Sequence, residues 1–563
     1  MKKQLLLHLL IIIVSPTVFA QTVQKIWSKK YLNTSNASSY FYTNKSIADN
    51  DGNLLVTAEN GLELEILKLD TAGNLLWKFA HRYYTTLNRT LHFCAIYDNY
   101  EYNYITVDGN NNIYVSYYTD DSLSANSRWC IMKISPNGTL VWDKMYEGAY
   151  GDAAYPVAIK VDANSNVYAT GIGSNPLDTY DNLILTIKLN SSGVLQWEKT
   201  LDGNAIDGNL SSSVNVGCDL LLDNNANVYV TGQLSNYDST QHYDLVLAKY
   251  TSAGTLAWSK VVNFGIEFAR DQQGRRIFLN NNNEIIVCGY SADTLNFTNT
   301  ILLMKYDVSG NEIWRKILRK EFNGFLYGNS LSDITLDNSG NIITATKTGN
   351  FGSIGLVTKF SGVTGDTLWT YRKDEYSNWQ PTGVKTDNNN FVYAWGMEDY
   401  YQQQLPYKRA WLIVFDPSGN QVTSIVDSTV TYVFNDLNTR SIVRVNNSIY
   451  CFAHFNDDIA PQMNGLAVKF SAPSGTPTAV TEIGPSGFDV FPNPFSNNFI
   501  VSVQDKENTA TTICIYNVEG KEMLHDVITG NTLQVDASAW QAGIYFVNVL
   551  SETQTQSFKL IKN

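Results

Sequence analysis

A tryptophan recurs through the first two-thirds of this 563-residue chain at intervals of 55 to 65 residues, at Trp77, Trp142, Trp197, Trp258, Trp314 and Trp369. Each follows a glycine by four residues: Gly73, Gly138, Gly193, Gly254, Gly310 and Gly365. Each glycine in turn follows a lysine by five or six residues, at Lys68, Lys133, Lys188, Lys249, Lys305 and Lys359. Upstream of every lysine lies a polar turn and then a strand-like run, as in Asp162 to Gly171. Related turns begin at Asp49, Asp108, Asp223, Asn280, Asp337 and Asp387, with a degenerate one at Asn446. Self-similarity at a fixed period restricts the chain to architectures in which one unit is completed by its neighbours.

The unit is readable in physical terms. Runs such as Leu245 to Tyr250 are short and almost continuously apolar, as strands covered on both faces require. The Asn/Asp/Gly clusters supply tight hairpin turns. The glycine before each tryptophan marks the turn into the last strand of the unit. Each unit therefore reads as about four strands with no helical period. Radial stacking covers both faces of such a sheet, and ring closure leaves no open end. The expectation is an all-β chain whose residues 21–470 form an eight-bladed β-propeller, with seven blades as the alternative. A seventh unit keeps Gly419 but has Thr423 where tryptophan would fall, and the eighth ends near Phe470 without its last strand. Ile26 to Tyr31 reads as an orphan tryptophan strand, so Trp27 is expected to complete blade eight and close the ring.

The glycine-to-tryptophan segments, such as Thr364 to Trp369 and Ala72 to Trp77, resemble the tryptophan-docking motif of pyrroloquinoline-quinone-type propellers. They also resemble the propeller repeats of secreted bacterial surface proteins. The resemblance implies that each tryptophan packs between blades and that the glycine shapes the turn. Quinone dehydrogenases of that family use adjacent cysteines and a calcium-binding Glu/Asn/Asp set, and neither can be placed here.

The two ends read differently. Lys2 and Lys3 precede an apolar run from Leu5 to Val14 and a small-residue site at Val18 to Ala20, which together predict a signal peptide over 1–20 with cleavage between Ala20 and Gln21. No later run reaches membrane-spanning length. Residues 471–487 are rich in Ser, Pro, Gly and Thr and read as a linker. From 488 to 563 the repeat is gone, and short alternating strands predict a small β-sandwich. This segment resembles the type A C-terminal sorting domain of the type IX secretion system. The matching residues are Pro492-Asn493-Pro494, Ile515-Tyr516-Asn517 with Gly520-Lys521, Gly543-Ile544-Tyr545-Phe546-Val547 and the terminal Lys559 to Lys562. The resemblance implies a Gram-negative host, the type IX machinery as partner, removal of the domain, and attachment to a lipopolysaccharide or release.

Chemistry is harder to find. A balance of 40 basic against 53 acidic residues, −13 net, argues against a nucleic-acid partner. The six cysteines, Cys94, Cys130, Cys218, Cys288, Cys451 and Cys514, mostly sit in apolar alternations and read as buried small hydrophobes rather than bridges or zinc ligands. There is no His-Glu-x-x-His, nucleophile elbow or phosphate loop. Neither a catalytic set, a metal site nor a cofactor is expected. His81 and His92, near Arg82, Arg89 and Asp98, are a weak site candidate. Asp152, Asp207, Asp271 and Asp333 precede successive blades and would either face the channel or bond backbone amides at turns. Asp49 to Asn53 has a partial look of a calcium loop but reads as a hairpin, since every unit has one. Tyrosines at 83–84, 97, 100, 102, 104 and 400–401 would stack on a ligand or pack the rim. Asp293-Thr294-Leu295 and Asp366-Thr367-Leu368 resemble short O-glycosylation sites. The expected function is a secreted or cell-surface propeller that binds a partner or glycan. The alternative is a polysaccharide hydrolase or lyase using channel carboxylates.

Overall fold

A computed structural model describes residues 23–31, 41–60, 63–82, 89–92, 103–121, 127–146, 155–175, 178–202, 215–236, 242–262, 272–292, 299–318, 321–322, 325–326, 329–348, 354–373, 378–402, 405–433, 438–457, 460–472, 488–491, 495–503, 511–517, 521–528, 532–550 and 555–562. The chain divides into two compact units, Met1–Gly475 and Thr476–Asn563. The signal-peptide reading, with Ala20 and Gln21, lies outside the described residues. No described helix is long and apolar enough to cross a membrane.

Among the described residues the first unit holds eight antiparallel blade sheets, in all but the last of which the strands follow one another in sequence, and a two-stranded ribbon of Glu321–Phe322 and Phe325–Leu326. Blade four is representative, running Val216–Leu222, Val228–Asn236, His242–Tyr250 and Leu256–Val262. Blade two departs slightly, because Arg89–His92 and Ile105–Val107 share the inner edge of Ile113–Asp121. Blade eight takes its last strand from the other end of the propeller. Lys25–Tyr31 pairs antiparallel with Ala460–Ser471, setting Trp27 opposite Lys469. The first strands of most successive blades pack on one another, that of blade six meeting the second and third strands of blade five instead, and the first strand of blade eight, Asn438–Val445, meets that of blade one, Phe41–Ala48. The first strands are therefore innermost.

What joins the blades is one repeated contact. Each docking glycine has φ between +73° and +85°, which a side chain tolerates poorly. A Cβ there would also strike the tryptophan of the preceding blade. The distance is 2.6 Å from Gly73 to Trp27, 2.8 Å from Gly138 to Trp77, 2.8 Å from Gly254 to Trp197 and 2.9 Å from Gly310 to Trp258. Gly193 meets Trp142 and Gly365 meets Trp314 in the same way. The glycine thus shapes its own turn and makes room for the neighbour's indole. Trp77 Nε1 donates to the Pro136 carbonyl at 3.0 Å, and Trp142, Trp197, Trp258 and Trp369 donate to Ser191, Ser252, Val308 and Pro417 of the next blade.

The repeated lysine stands opposite its tryptophan on the adjacent strand, as in Lys249↔Trp258. In several blades both donate to one carbonyl: Lys68 joins Trp77 on Pro136, and Lys359 joins Trp369 on Pro417. The lysine's other partner depends on the inner face. Where blades two, three and four carry Tyr114, Tyr168 and Tyr229, the ammonium lies about 5 Å over the ring. The phenol then donates to the turn aspartate. Where that residue is Leu55 or Ile343, the lysine pairs directly with Asp49 or Asp337, at 2.8 and 2.9 Å.

Gly419 of blade seven still receives Trp369, with a Cβ distance of 2.5 Å. Blade seven itself sends no outer tryptophan to blade eight, since Thr423 stands there. The buried Trp395 on its second strand substitutes, donating to the Phe452 carbonyl of blade eight at 3.1 Å. The sequence reading did not foresee this substitution.

The second unit has two sheets. Thr511–Asn517 lies between Glu522–Ile528 and Gly543–Leu550, with Thr555–Lys562 at the far edge; Phe488–Phe491, Asn498–Val503 and Thr532–Asp536 form the other. Phe495, Phe499, Val501, Ile515, Val547 and Leu560 fill its core. The Glu522–Ile528 strand is an addition to the strands expected from sequence.

Replacing Gly254 by alanine combines an unfavourable φ with a clash against Trp197. The propeller should lose about 2–3 kcal/mol, read from its chemical-denaturation midpoint. Gly109→Ala meets nothing within 4 Å and has no positive φ, so it should change the midpoint little.

Candidate functional site

The innermost strands carry a register shift in every blade where their pairing is continuous, at Pro156/Ala158, Gly217/Asp219, Gly274/Arg276, Leu331/Asp333 and Pro381/Gly383 among others. Bulges re-aim side chains and interrupt pairing. Asp219, Arg276 and Asp333 follow the bulge at the same register position in blades four, five and six, each paired with the residue eight places after its blade's turn aspartate or asparagine. They form one level around the axis.

The surrounding contacts show that this level is central. Asn103, in the segment leading into blade two, donates from Nδ2 to Asp219 Oδ1 at 2.9 Å, past the whole of blade three. Asp219 also accepts from its own neighbour Leu220 N–H and from Ile277 N–H of blade five, at 3.0 and 3.2 Å. Asp333 repeats the pattern. It accepts from Ile334 N–H at 2.8 Å, from Val384 N–H of blade seven at 2.9 Å, and from Lys385 Nζ at 3.1 Å. Burial would push the Asp333 carboxyl up, but Lys385, Lys45 of blade one, the Val384 N–H and Arg276 of blade five together hold it below the ordinary carboxylate value. Arg276 and Lys385 come from the two flanking blades, whereas Lys45 of blade one reaches a carboxylate of blade six only across the axis.

Arg276 differs from its two acidic counterparts. It is 8% exposed and makes no hydrogen bond or ion pair among the described residues. Its charge acts on Asp333 and, in lowering the thiols, partly offsets the burial that raises Cys218 and Cys288. Its neighbour Arg275 is engaged by Tyr290, at 2.8 Å.

The residues singled out from sequence fall elsewhere. Trp27, Trp77, Trp142, Trp197, Trp258, Trp314 and Trp369 lie on outer strands at the blade junctions. His81 lies on the outer strand of blade one, 3.1 Å from Asp143 of blade two and 3.2 Å from the Tyr117 hydroxyl; it joins two blades at the rim. The side chains of His92, Tyr400 and Tyr401 lie outside the described set, as do Asp152, Asp207, Asp271, Tyr83, Tyr84, Tyr97, Tyr100, Tyr102 and the segment 293–295. Tyr104 is buried and bonds Thr57 between blades one and two, at 2.8 Å, so it is a packing residue and not a stacking platform. Asp333 does bond a backbone amide, but across the axis-lining strands and not at a turn. Asp49 accepts from the N–H groups of Asp51 and Asn53 and pairs with Lys68, which is the chemistry of a hairpin. Cys130, Cys218, Cys288, Cys451 and Cys514 are buried free thiols, and burial raises those of Cys218, Cys288 and Cys451.

In the second unit Lys521 closes the hairpin from Asn517, donating its N–H to Asn517 Oδ1 at 2.9 Å. Gly543 and Ile544 open the strand that carries buried Tyr545, whose hydroxyl donates to the Gln541 carbonyl at 2.7 Å. Pro492, Asn493, Pro494 and Gly520 lie outside the described residues.

Residues 489–563 match the family of the secretion system C-terminal sorting domain. The terminal unit is a type IX sorting domain, and the protein is a β-propeller sorted for secretion by that system. No curated protein matches the chain by sequence. Among solved structures, a quinohemoprotein alcohol dehydrogenase from Comamonas testosteroni is similar at 10% identity, over 85% of this chain and 79% of that one, with a TM-score of 0.49. A protein of unknown function from Dyadobacter fermentans is similar at 9% identity, over 80% and 99%, with a TM-score of 0.36. A polysaccharide lyase, an ulvan lyase, is similar at 11% identity, over 65% and 90%, with a TM-score of 0.38.

Asp333→Asn keeps an oxygen for Val384 N–H but removes the charge facing Lys385. The expected loss is about 2–3 kcal/mol near neutrality. The folded carboxyl titrates below its unfolded value, so its contribution is present above roughly pH 4 and is lost as the pH falls through the folded value. Denaturant titrations of both proteins at pH 7, 5 and 3 should show a constant difference at the upper two values and a smaller one at the lowest.

Proposed function

We propose that the mature chain is a secreted or cell-surface binding protein whose propeller takes a glycan or protein ligand at its axis. On this reading the signal peptide over 1–20 carries it to the periplasm of a Gram-negative cell. The terminal sandwich is then the export address, removed as the propeller is attached to a lipopolysaccharide or released. The observation that supports binding over catalysis is the state of the two axial carboxylates among the described residues. Paired acid/base chemistry needs two carboxyls about 5–10 Å apart with one left free to exchange a proton. Asp219 and Asp333 each hold three donors from neighbouring groups, so neither oxygen pair is available for that work.

The second reading, a hydrolase or lyase acting on extracellular polysaccharide, rests on the same channel and is decided by the same experiment. The mature protein applied to a glycan array should retain a defined subset of glycans. Incubation with polymers of the retained class should leave their chain length unchanged by size-exclusion chromatography. Shortened polymer would replace the binding reading with the enzymatic one. Delivery has its own test. A chain lacking residues 488–563 should accumulate in the periplasm of the native host, measured by fractionation and surface proteolysis. Normal surface display of that truncation would refute the role given to the sandwich.

A further inference from the structure

We infer that Arg276 is the seat of an anion site at the propeller axis, built to take a carboxylate or sulfate group of the ligand. The inference deepens the binding reading and shares its location. A guanidinium carries five N–H donors in a planar fork. Arg276 is more than nine-tenths buried as a residue, none of those donors has an acceptor among the described residues, and its nitrogens are not among the fully enclosed ones. The stem is packed while the fork opens to solvent with its donors unspent, which is how a fold presents a charge to a ligand.

The described neighbours offer Arg276 no internal partner. Asp219 and Asp333 flank Arg276 in the adjacent blades at the same level, yet each carboxylate is held by backbone N–H groups and by other side chains. Asp333 has Lys385 as its ion-pair partner, at 3.1 Å. Lys45 and Lys385 add to the cationic field around Asp333. Lys385 is thus paired with Asp333, whereas Arg276 acts on that carboxylate only from a distance and has no acceptor among the described residues. The site is local, since the chain as a whole carries −13 and repels anions at long range. A planar acceptor with two oxygens fits the fork bidentately, which a neutral hydroxyl does not. Such a group is offered by an acidic sugar or by a free small anion.

The test uses the mature protein, calorimetric titration at constant ionic strength, and four probes: D-glucuronate, a glucuronate-containing oligosaccharide, sodium sulfate and neutral D-glucose. Saturable binding of at least one anion and none of glucose is expected. Tighter binding of the oligosaccharide than of glucuronate and sulfate assigns the anion to an acidic glycan; equal binding assigns it to a free small anion. Arg276→Gln should weaken the anion at least tenfold, and Arg276→Lys should weaken it less. In anion-free buffer Arg276→Met should melt no lower than the wild type, because it removes an uncompensated charge. The proposal is overturned if the wild type binds no anion, if Arg276→Gln binds as well as the wild type, or if Arg276→Met melts well below it or fails to fold. Anion binding together with an empty glycan array would sink the glycan-binding function and leave this site standing. Array hits untouched by Arg276→Gln would do the reverse.

Discussion

The propeller depends on an indole resting where a side chain is missing. Each outer-strand tryptophan crosses to the next blade and lies on a glycine whose left-handed backbone already excludes a Cβ. One residue type therefore satisfies two demands, a turn in its own blade and a flat seat for its neighbour's ring. At Trp77, Trp142, Trp197, Trp258 and Trp369 the indole N–H then donates to a carbonyl in that same turn, so a large apolar surface is buried with its one polar atom paired; at Trp27 and Trp314 the ring docks without that bond.

This architecture was legible in the sequence because backbone strain leaves little freedom. A positive φ calls for glycine, and glycine four residues before tryptophan repeats often enough to count blades. Trp27 could be assigned to blade eight for the same reason. Trp395 could not: it does the docking from a second strand, where nothing in the spacing separates it from ordinary core. The Glu522–Ile528 strand was missed because Glu522, His525 and Asp526 break the apolar alternation on a strand that forms a sheet edge. The partner of each repeated lysine was also hidden, since it depends on whether tyrosine or an aliphatic residue sits on a different strand.

The axial cluster was illegible for a more general reason. Repeat analysis finds what successive units share, whereas this site is made of what they do not. Asp219, Arg276, Asp333 and Gly383 occupy one structural position in four blades with three different residue types, 50 to 57 places apart in sequence. Only ring closure brings them to one level. Of the four carboxylates singled out from sequence, Asp333 alone belongs to this level among the described residues, and Arg276 at the same level carried no signal at all.

The clasp of Lys25–Tyr31 on Ala460–Ser471 has a consequence for biogenesis. The strand made first and the strand made last share one sheet, so the loop that must close spans the whole propeller, at an entropic cost that grows only slowly with its length. Blades one to seven can form as the chain lengthens, but the ring stays open until blade eight exists. The export address begins only after that strand, beyond residue 487. A chain that displays its address has therefore already been supplied with every strand needed to lock the ring, and a prematurely ended chain has neither lock nor address. Order of synthesis here acts as an inspection step that needs no inspector.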